Sequence, residues 1–348
     1  MRRITVALIL VLTVCLCLTA LEFKDFTFNV LSEKKLNGIY IPWPEDASKT
    51  AKKTGTLRFY FMSSEDMQGG NFAYGDSCFI VFPNGETMII DGGKGSYASV
   101  LMKNLENLGV KRIDHMVITH LHEDHYGGLL LQGFFSKFKV GKVYWNGVGS
   151  YYDSVTKNLQ TFAAKSEGGL TSLSAGDSIV VGDVRIDILY PKKEMQGKIQ
   201  EASDQALNNT SLLLKITYGG FSALFGGDLY SDTEETIIGL YPDALDVDLV
   251  KANHHGKTTS NSRDWAKATS PAVAVATSGI PMDLFPYGSY SAVGSYVLND
   301  NLDGYVRIVT DGKTCEVTSS RQRTKTINEN FDIVARGINP VTVKTVKK

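Results

Sequence analysis

The chain is poor in the residues that staple small folds. Only four cysteines occur in 348 residues, and no pair has C-x-x-C spacing. That leaves out a zinc ribbon and a dithiol redox motif. Cys15 and Cys17 lie in an apolar run near the start, so the body holds Cys78 and Cys315 alone. Cys78 sits in the strand-like stretch SCFIVF, which favours a buried free thiol over a disulfide. Net charge is scarce as well: 36 basic residues face 37 acidic ones, a formal balance of −1. This argues against a surface that binds polyanions through bulk charge and against an acidic disordered chain, while leaving a local basic patch open. No repeat of fixed period is visible. Aromatics interleaved with basic residues, as in a groove for single-stranded nucleic acid, are not seen either. Histidine is rare: there are six, and none falls between residues 126 and 253.

What is present is an ordinary globular composition, 43% hydrophobic and 21% charged, able to bury a sizeable core. The amino terminus stands apart. MRR precedes a run without charge from Ile4 to Leu21. A basic start before an apolar segment is the pattern of a secretory signal. The run is also just long enough to span a membrane. Residues 1–21 are therefore expected to be a signal peptide or a membrane anchor, with the remainder secreted or held outside the cytoplasm. A lipobox-like LTVC at Cys15 carries a bulky Val14 where a small residue is expected. Residues 22–54, with two prolines and then small and charged residues, read as a linker or N-terminal arm. A regular domain is expected over 55–320, followed by a basic C-terminal tail over 321–348.

Within the body, strands outnumber helices. LRFYFM reads as a strand, and SCFIVFPNGETMIIDGG as a hairpin turning at Pro-Asn-Gly. SYASVLMKNLENLGV has helical spacing, with Val100, Leu101, Leu105 and Leu108 on one side and Gly109 as a stop. IDHMVIT is a short buried strand. GGLLLQGFFSKF resumes as a helix, and KVYWNG returns to strand. SIVVGDVRIDILYP and TSLLLKITYGGFSALFGGDL read as two more hairpins, the second turning at Gly219-Gly220. DTEETIIGLY is helical, and VDLVKAN is a strand. Hairpins early in each half point to two facing sheets with helices outside.

The chemistry concentrates in THLHEDHYGG, residues 119 to 128. His120, His122, Asp124 and His125 follow a strand and precede a helix. A strand end delivers alternate side chains to one side, so His120 and His122 can meet one ion. The turn into the helix brings Asp124 and His125 toward a second. Imidazole and carboxylate suit zinc and similar divalent metals. Gly127 and Gly128 are expected to let the backbone turn tightly beyond the ligands.

This stretch resembles the H-x-H-x-D-H signature of the metallo-β-lactamase superfamily. Other landmarks follow in the expected order: DGG at Asp91 to Gly93, FGGDL ending at Asp228, and NHHGK at residues 253 to 257. Within the superfamily, YGDSCFIVFPNGETMIIDGG, NNTSLLLKI and HHG are most similar to the extracellular ComEC/Rec2-type domain and its relatives, among them phosphorylcholine esterases of cell-wall teichoic acid. The resemblance spans about residues 56 to 318. It implies an α+β fold: an αββα four-layer sandwich of two facing mixed β-sheets flanked by helices. It implies two zinc ions per chain, with manganese as the alternative. The ligands carried over are His120, His122, Asp124, His125, a bridging Asp228 and His255. Asp124, Asp228 and His255 are also expected to serve catalysis, and Asp91 to orient a ligand histidine from behind.

The sequence departs from many family members in having no histidine to complete the first metal site. Either Asp204, Asn208, Asn209 or water completes that site, or the site is weak, with a single ion tightly held and a second recruited alongside substrate. His255 precedes the glycine and is preferred over His254, which is left to contact substrate or orient its neighbour. His115, inside a buried strand, reads as structural. Lys257 and Thr258 in KTTS are candidate contacts for a substrate oxygen, against a polar turn that caps the next helix. YWNGVGSYYDS and FPYGSYSAVGSY read as loops at the mouth of a site, where aromatics suit a choline head group, a sugar or a base. The expected function is exported, metal-dependent hydrolysis by a metal-activated hydroxide, on phosphodiesters of nucleic-acid or cell-wall phosphorylcholine type. Hydrolysis of β-lactams or lactones, and a non-catalytic cell-surface binding module, are the alternatives. The expected partners are a small-molecule or polymeric phosphodiester, nucleic acid among them, and a membrane only through the N-terminal segment.

Overall fold

A computed structural model describes residues 27–30, 35–36, 39–40, 54–62, 75–199, 201–277 and 281–319. The leader at 1–21 and the tail at 321–348 lie outside these residues. So does most of the arm, although Thr27–Val30 within it runs as a strand parallel to Cys315–Ser319.

Two sheets carry the fold. The nine-stranded sheet has the spatial order Thr27–Val30, Cys315–Ser319, Val306–Thr310, Leu57–Phe61, Cys78–Val81, Thr87–Ile90, Arg112–Ile118, Lys139–Trp145, Leu170–Ser172. Its middle is antiparallel from 315–319 through 87–90, and the pairings beyond it at both ends are parallel. The seven-stranded sheet begins with the meander Ser178–Val181, Val184–Tyr190, Leu213–Tyr218, Phe221–Phe225. It continues in parallel through Leu249–Lys251, Val273–Ala276 and Tyr296–Asn299. Each parallel step is spanned by a crossover helix.

Strand parity assigns every side chain to a layer. Phe59, Phe61, Ile80 and Ile90 of the first sheet point inward and meet Ile186, Leu214, Ile216 and Phe225 of the second. Phe225 stacks on Phe59 and Phe61 at 6.0 and 5.9 Å between ring centroids. The opposite parity, Tyr60, Phe79, Ile89 and Met116, packs beneath the helix Ala98–Asn107 and its neighbours through Leu101, Leu105 and Phe134. On the far side, Leu213, Leu224, Val250 and Ala274 lie under the helices Ser231–Leu240 and Arg263–Thr269 through Ile237 and Trp265. The four layers are helix, sheet, sheet, helix, as the hairpin pattern implied. Three hairpins fall where the sequence placed them, including the turn at Gly219-Gly220.

Cys78 and Cys315 are both buried free thiols. The stretch GGLLL is not helical; the helix expected there begins only at Gln132. No helix among the described residues is long and apolar enough to cross a membrane.

Candidate metal centre

Parallel strands end at one edge, and the polar residues collect on that edge. Asp91 follows strand 87–90, Thr119 and His120 follow 112–118, and Asp228 follows 221–225. His254 and His255 follow 249–251, and Thr277 follows 273–276. Strand 78–81 runs the other way, so Asp76 precedes it at the same edge, where Cys78 pairs with Ile90.

Backbone hydrogen bonds lace these loops together: Asp76 N–H to Asp124 O, Gly93 N–H to Asp76 O, Gly92 N–H to His125 O, and Gly128 N–H to Gly93 O. The glycines after the histidine cluster serve this closeness rather than a left-handed turn. Gly127 has φ −59, and a Cβ on Gly128 would lie 2.0 Å from Gly92 O. The chain bends sharply instead at three site residues, Asp91, His254 and His255, with φ of 56, 45 and 58. Such backbone costs of order 1–3 kcal/mol for a residue with a Cβ and persists only where the surroundings enforce it.

One half of the cluster holds Asp124, His125, Asp228 and His255. His125 Nε2 and His255 Nε2 each lie 3.2 Å from Asp228 Oδ2, and His255 Nε2 lies 3.3 Å from Asp124 Oδ2. The other ring nitrogens are held from behind by carboxylates. His125 Nδ1 donates to Asp91 at 2.8 Å, and Asp91 also accepts from Thr119 N–H and Oγ1. His255 Nδ1 meets Asp76 Oδ1 and Thr277 O at 3.0 Å. A carboxylate behind a ligating imidazole fixes its tautomer and its aim.

Asp76 was absent from the residues singled out in the sequence. One donor atom from each of Asp76, His125, Asp228 and His255 falls within 4.8 Å of the others, all four residues being buried. Yet both Asp76 oxygens are committed: Oδ1 to His255 Nδ1 and Thr277 Oγ1, Oδ2 to Lys251 Nζ. It approaches His125 on the Nδ1 side, at 4.0 Å. We therefore place it behind the imidazoles and Asp124 in front.

The electrostatics follow from burial and proximity. Burial disfavours the imidazolium forms of His125 and His255, but Asp228 with Asp91, and Asp228 with Asp76, hold both rings well above the ordinary value. Burial disfavours the ionised Asp228 and Asp124, yet the same histidines hold both carboxyls well below theirs. The buried carboxylates that favour the imidazolium forms would equally favour a divalent ion in place of those protons.

The other half holds His120 and His122. His120 Nε2 lies 3.0 Å from His122 Nδ1, which lies 2.8 Å from Asn208 Oδ1. Burial, with His125 and His122 nearby, keeps His120 neutral. Asp204 reaches His122 Nε2 only at 3.5 Å from an exposed position and accepts from Tyr151. Asn209, one of the proposed extra ligands, faces away: its amide N–H donates to Asp232 and its oxygen accepts from Tyr230 N–H.

The donor set passes a physical test for a cation. Asp228 Oδ1 is buried and makes no hydrogen bond among the described residues, while its Oδ2 faces His125 Nε2 at 3.2 Å. Leaving such an atom unsatisfied costs about 1–3 kcal/mol. Ligation would remove that cost.

The remaining candidates sort clearly. His254 stacks on Tyr230 at 4.8 Å, bonds Thr259, and comes within 3.8 Å of Asp228. Burial pushes it down to about 4. His115 bonds Glu86 and Tyr144 in mid-strand, which agrees with a structural role. Thr258, expected to meet substrate, gives both its N–H and its hydroxyl to Asp283, while the next helix, Arg263–Thr269, is capped by Ser262 and not by KTTS. Lys257 lies beside His254, one of the charges that depress it. Tyr151 and Tyr152 pack at 4.6 Å, linked to the His122 side through Asp204.

Comparison with known proteins agrees with this geometry. Residues 73–144 match the family described as Metallo-beta-lactamase superfamily. The chain is 29% identical to ComE operon protein 3 of Bacillus subtilis (strain 168) over 224 residues, 59% of this chain and 27% of the relative. It is 26% identical to competence protein ComA of Neisseria gonorrhoeae over 193 residues, 55% of this chain and 24% of the relative. A 70-residue stretch, 20% of this chain, is 36% identical to anti-Pycsar protein Apyc1 of Bacillus phage vB_BsuM-Goe3 and covers 25% of it. The chain thus spans about a quarter of the length of these relatives. Among solved structures, the metallo-beta-lactamase fold protein YhfI from Bacillus subtilis superposes with a TM-score of 0.45 at 14% identity, covering 70% of this chain and 95% of that one.

Proposed function

We propose that this chain, which carries a metallo-β-lactamase superfamily domain of the ComEC/Rec2 type, is a metal-dependent hydrolase of phosphodiesters. One observation carries the reading. Imidazoles and carboxylates from five separate strand ends converge on one edge, with carboxylates or a serine holding the ring nitrogens that face away. So many buried ionisable groups are costly to keep unless they act together.

A divalent ion bound there would supply Lewis acidity and water made acidic enough to ionise near neutral pH. The chain's own residues do the rest. His120, His122, Asp124, His125, Asp228 and His255 would hold the metal. Asp91 and Asp76 keep His125 and His255 aimed, and Lys251 balances the charge of Asp76. Asp124 and His122 are the partly exposed members, at 18% and 17% of their side chains, so substrate reaches the cluster over them. His254 stays neutral at physiological pH and can present a ring N–H to a substrate oxygen beside Asp228. Tyr151 and Tyr152 border the same rim and suit a base, sugar or choline group.

The resemblance to the ComEC/Rec2 type and to phosphorylcholine esterases, with similarity to competence proteins beside it, favours a phosphodiester over an amide. The apolar run Ile4–Leu21 supports an exported or anchored catalytic domain. The test is metal analysis of the purified body, followed by assay on bis-p-nitrophenyl phosphate beside β-lactam and lactone substrates. Bound metal with phosphodiester turnover is the expected result. Turnover confined to β-lactams or lactones would move the assignment, and bound metal with no turnover on any ester would favour a binding module.

A further inference from the structure

We infer that the side-chain oxygen of Asn208 completes the metal site on the His120/His122 side, in the place where a third histidine is missing from this chain. The inference rests on the metal-dependent reading above, but concerns this chain's own departure from the family pattern. No histidine lies between His125 and His254, so imidazole cannot fill the position from that interval. Three lone-pair carriers from three residues nevertheless meet there. His122 Nδ1 is 3.0 Å from His120 Nε2 and 2.8 Å from Asn208 Oδ1.

The proton bookkeeping around His120 fixes its direction. Ser211 Oγ–H donates to the backbone carbonyl of Asn208 at 2.7 Å, so Ser211 Oγ is free to accept. It accepts from Asp228 N–H at 3.1 Å, and His120 Nδ1 lies 3.1 Å away. His120 therefore carries its proton on Nδ1 and turns an unprotonated Nε2 toward His122. Only one proton on His122 Nδ1, or one cation, can hold His120 Nε2, His122 Nδ1 and Asn208 Oδ1 together. The buried Asp228 Oδ1, which makes no hydrogen bond among the described residues, supplies a further oxygen on the same carboxylate that faces His125 and His255. Two imidazoles and an amide oxygen, with a position left for a carboxylate or water, form a reasonable set for zinc or manganese, harder than three histidines would be.

The neighbouring residue provides the contrast. Asn209 is the same residue type one position along, yet its amide is spent on Asp232 and Tyr230. The bond from Ser211 Oγ to the Asn208 carbonyl also anchors the end of the helix Asp204–Asn208 against the histidine it serves. The Asp204 side chain, by contrast, is 77% exposed and its Oδ1 is taken up by the Tyr151 hydroxyl at 3.0 Å.

The test is the metal content of the full chain, read without reference to turnover. Zn(II) or Mn(II) is titrated by calorimetry and counted by elemental analysis, and Co(II) replaces either for its visible spectrum. Two ions per chain are expected in the parent. Asn208→Ala should keep its circular dichroism spectrum and either drop to one ion or bind one of the two at least tenfold more weakly, with a changed Co(II) spectrum. Truncating even a supporting residue costs about 10- to 100-fold in metal affinity. Asn208→Asp keeps the oxygen and should bind at least as tightly as the parent, and Asn208→His should retain both ions. Asn209→Ala should change nothing. If the parent binds a single ion, its loss in Asn208→Ala supports the assignment, and its retention there overturns it. Two ions held by Asn208→Ala with parental affinity overturn it as well. Should Asn208→Ala fail to fold, weaker binding by Asn208→Asp than by the parent does the same. A chain that binds metal as expected but cleaves no phosphodiester would leave this inference standing and sink the proposed function.

Discussion

At the scale of single residues, the centre separates groups that meet substrate or metal from groups that hold them. His122 is at the rim, partly exposed, and packs edge-on against His120 at 4.8 Å between ring centroids. His122→Ala is expected to abolish the proposed phosphodiester turnover while leaving the circular dichroism spectrum unchanged; both are measured on one sample. Behind His255 lies the buried pair of Asp76 and Lys251, both side chains under a tenth exposed. Lys251→Met strands a buried carboxylate and should destabilise by roughly 3–5 kcal/mol in urea unfolding. The double variant with Asp76→Asn removes the orphan charge and should recover a good part of that loss, a coupling that a double-mutant cycle reads directly. Asp76→Asn alone loosens the grip on His255 and should weaken metal binding about 10- to 100-fold. Unaltered metal affinity in that variant would show that His255 is aimed by Thr277 alone.

At the scale of elements, the turn bearing His254 and His255 has no regular structure of its own and must be held from outside. Glu234, fully buried in the helix Ser231–Leu240, does much of this. It accepts from Asn253 Nδ2, Asn261 N–H and Ser262 N–H at 2.9, 2.6 and 3.0 Å. These bonds join the histidine turn to the start of the helix Arg263–Thr269, which Ser262 caps. Glu234→Ala leaves buried donors without an acceptor and should cost on the order of 3 kcal/mol. Metal affinity should fall in the same variant, since the turn loses its tether. Glu234→Gln keeps one acceptor oxygen and should sit between the two in thermal unfolding.

At the scale of the whole molecule, the charged edge links stability to solution conditions. Chelation should lower the melting temperature, and metal at about 100 times its Kd should restore about 2.7 kcal/mol. The metal-free protein should respond to pH in two directions. Burial alone would raise the carboxyls of Asp76 and Asp228, but their cationic neighbours hold both well below the ordinary 3.8. Their contribution is present above that value and lost as pH falls through their lower, folded values. His125 and His255 are held well above the ordinary 6.5, so their contribution is full below it and is lost as pH rises through their raised values. Stability of the metal-free chain should therefore peak between these limits, and Asp76→Asn should flatten the acid limb. Urea titrations across pH measure this.

Local pattern was enough for much of this protein. The hairpins, the alternation that buries both faces of the sheets, and the clustering of the candidate ligands within six positions at 120–125 all follow from short-range spacing. Asp228 and His255 were legible too, because each ends a recognisable strand. Tertiary structure alone decided what depends on residues far apart. Asp76 and Lys251 are 175 positions apart and meet only because an antiparallel strand begins where parallel strands end. Neither carries a spacing signal. The choice between Asn208 and Asn209 was equally closed to the sequence: both are amides at the end of one short helix, and only the direction of that helix end turns one toward the histidines and the other toward Asp232. Spacing along a chain determines which side of an element a residue occupies, but the partner across the gap is set by how the sheets pack.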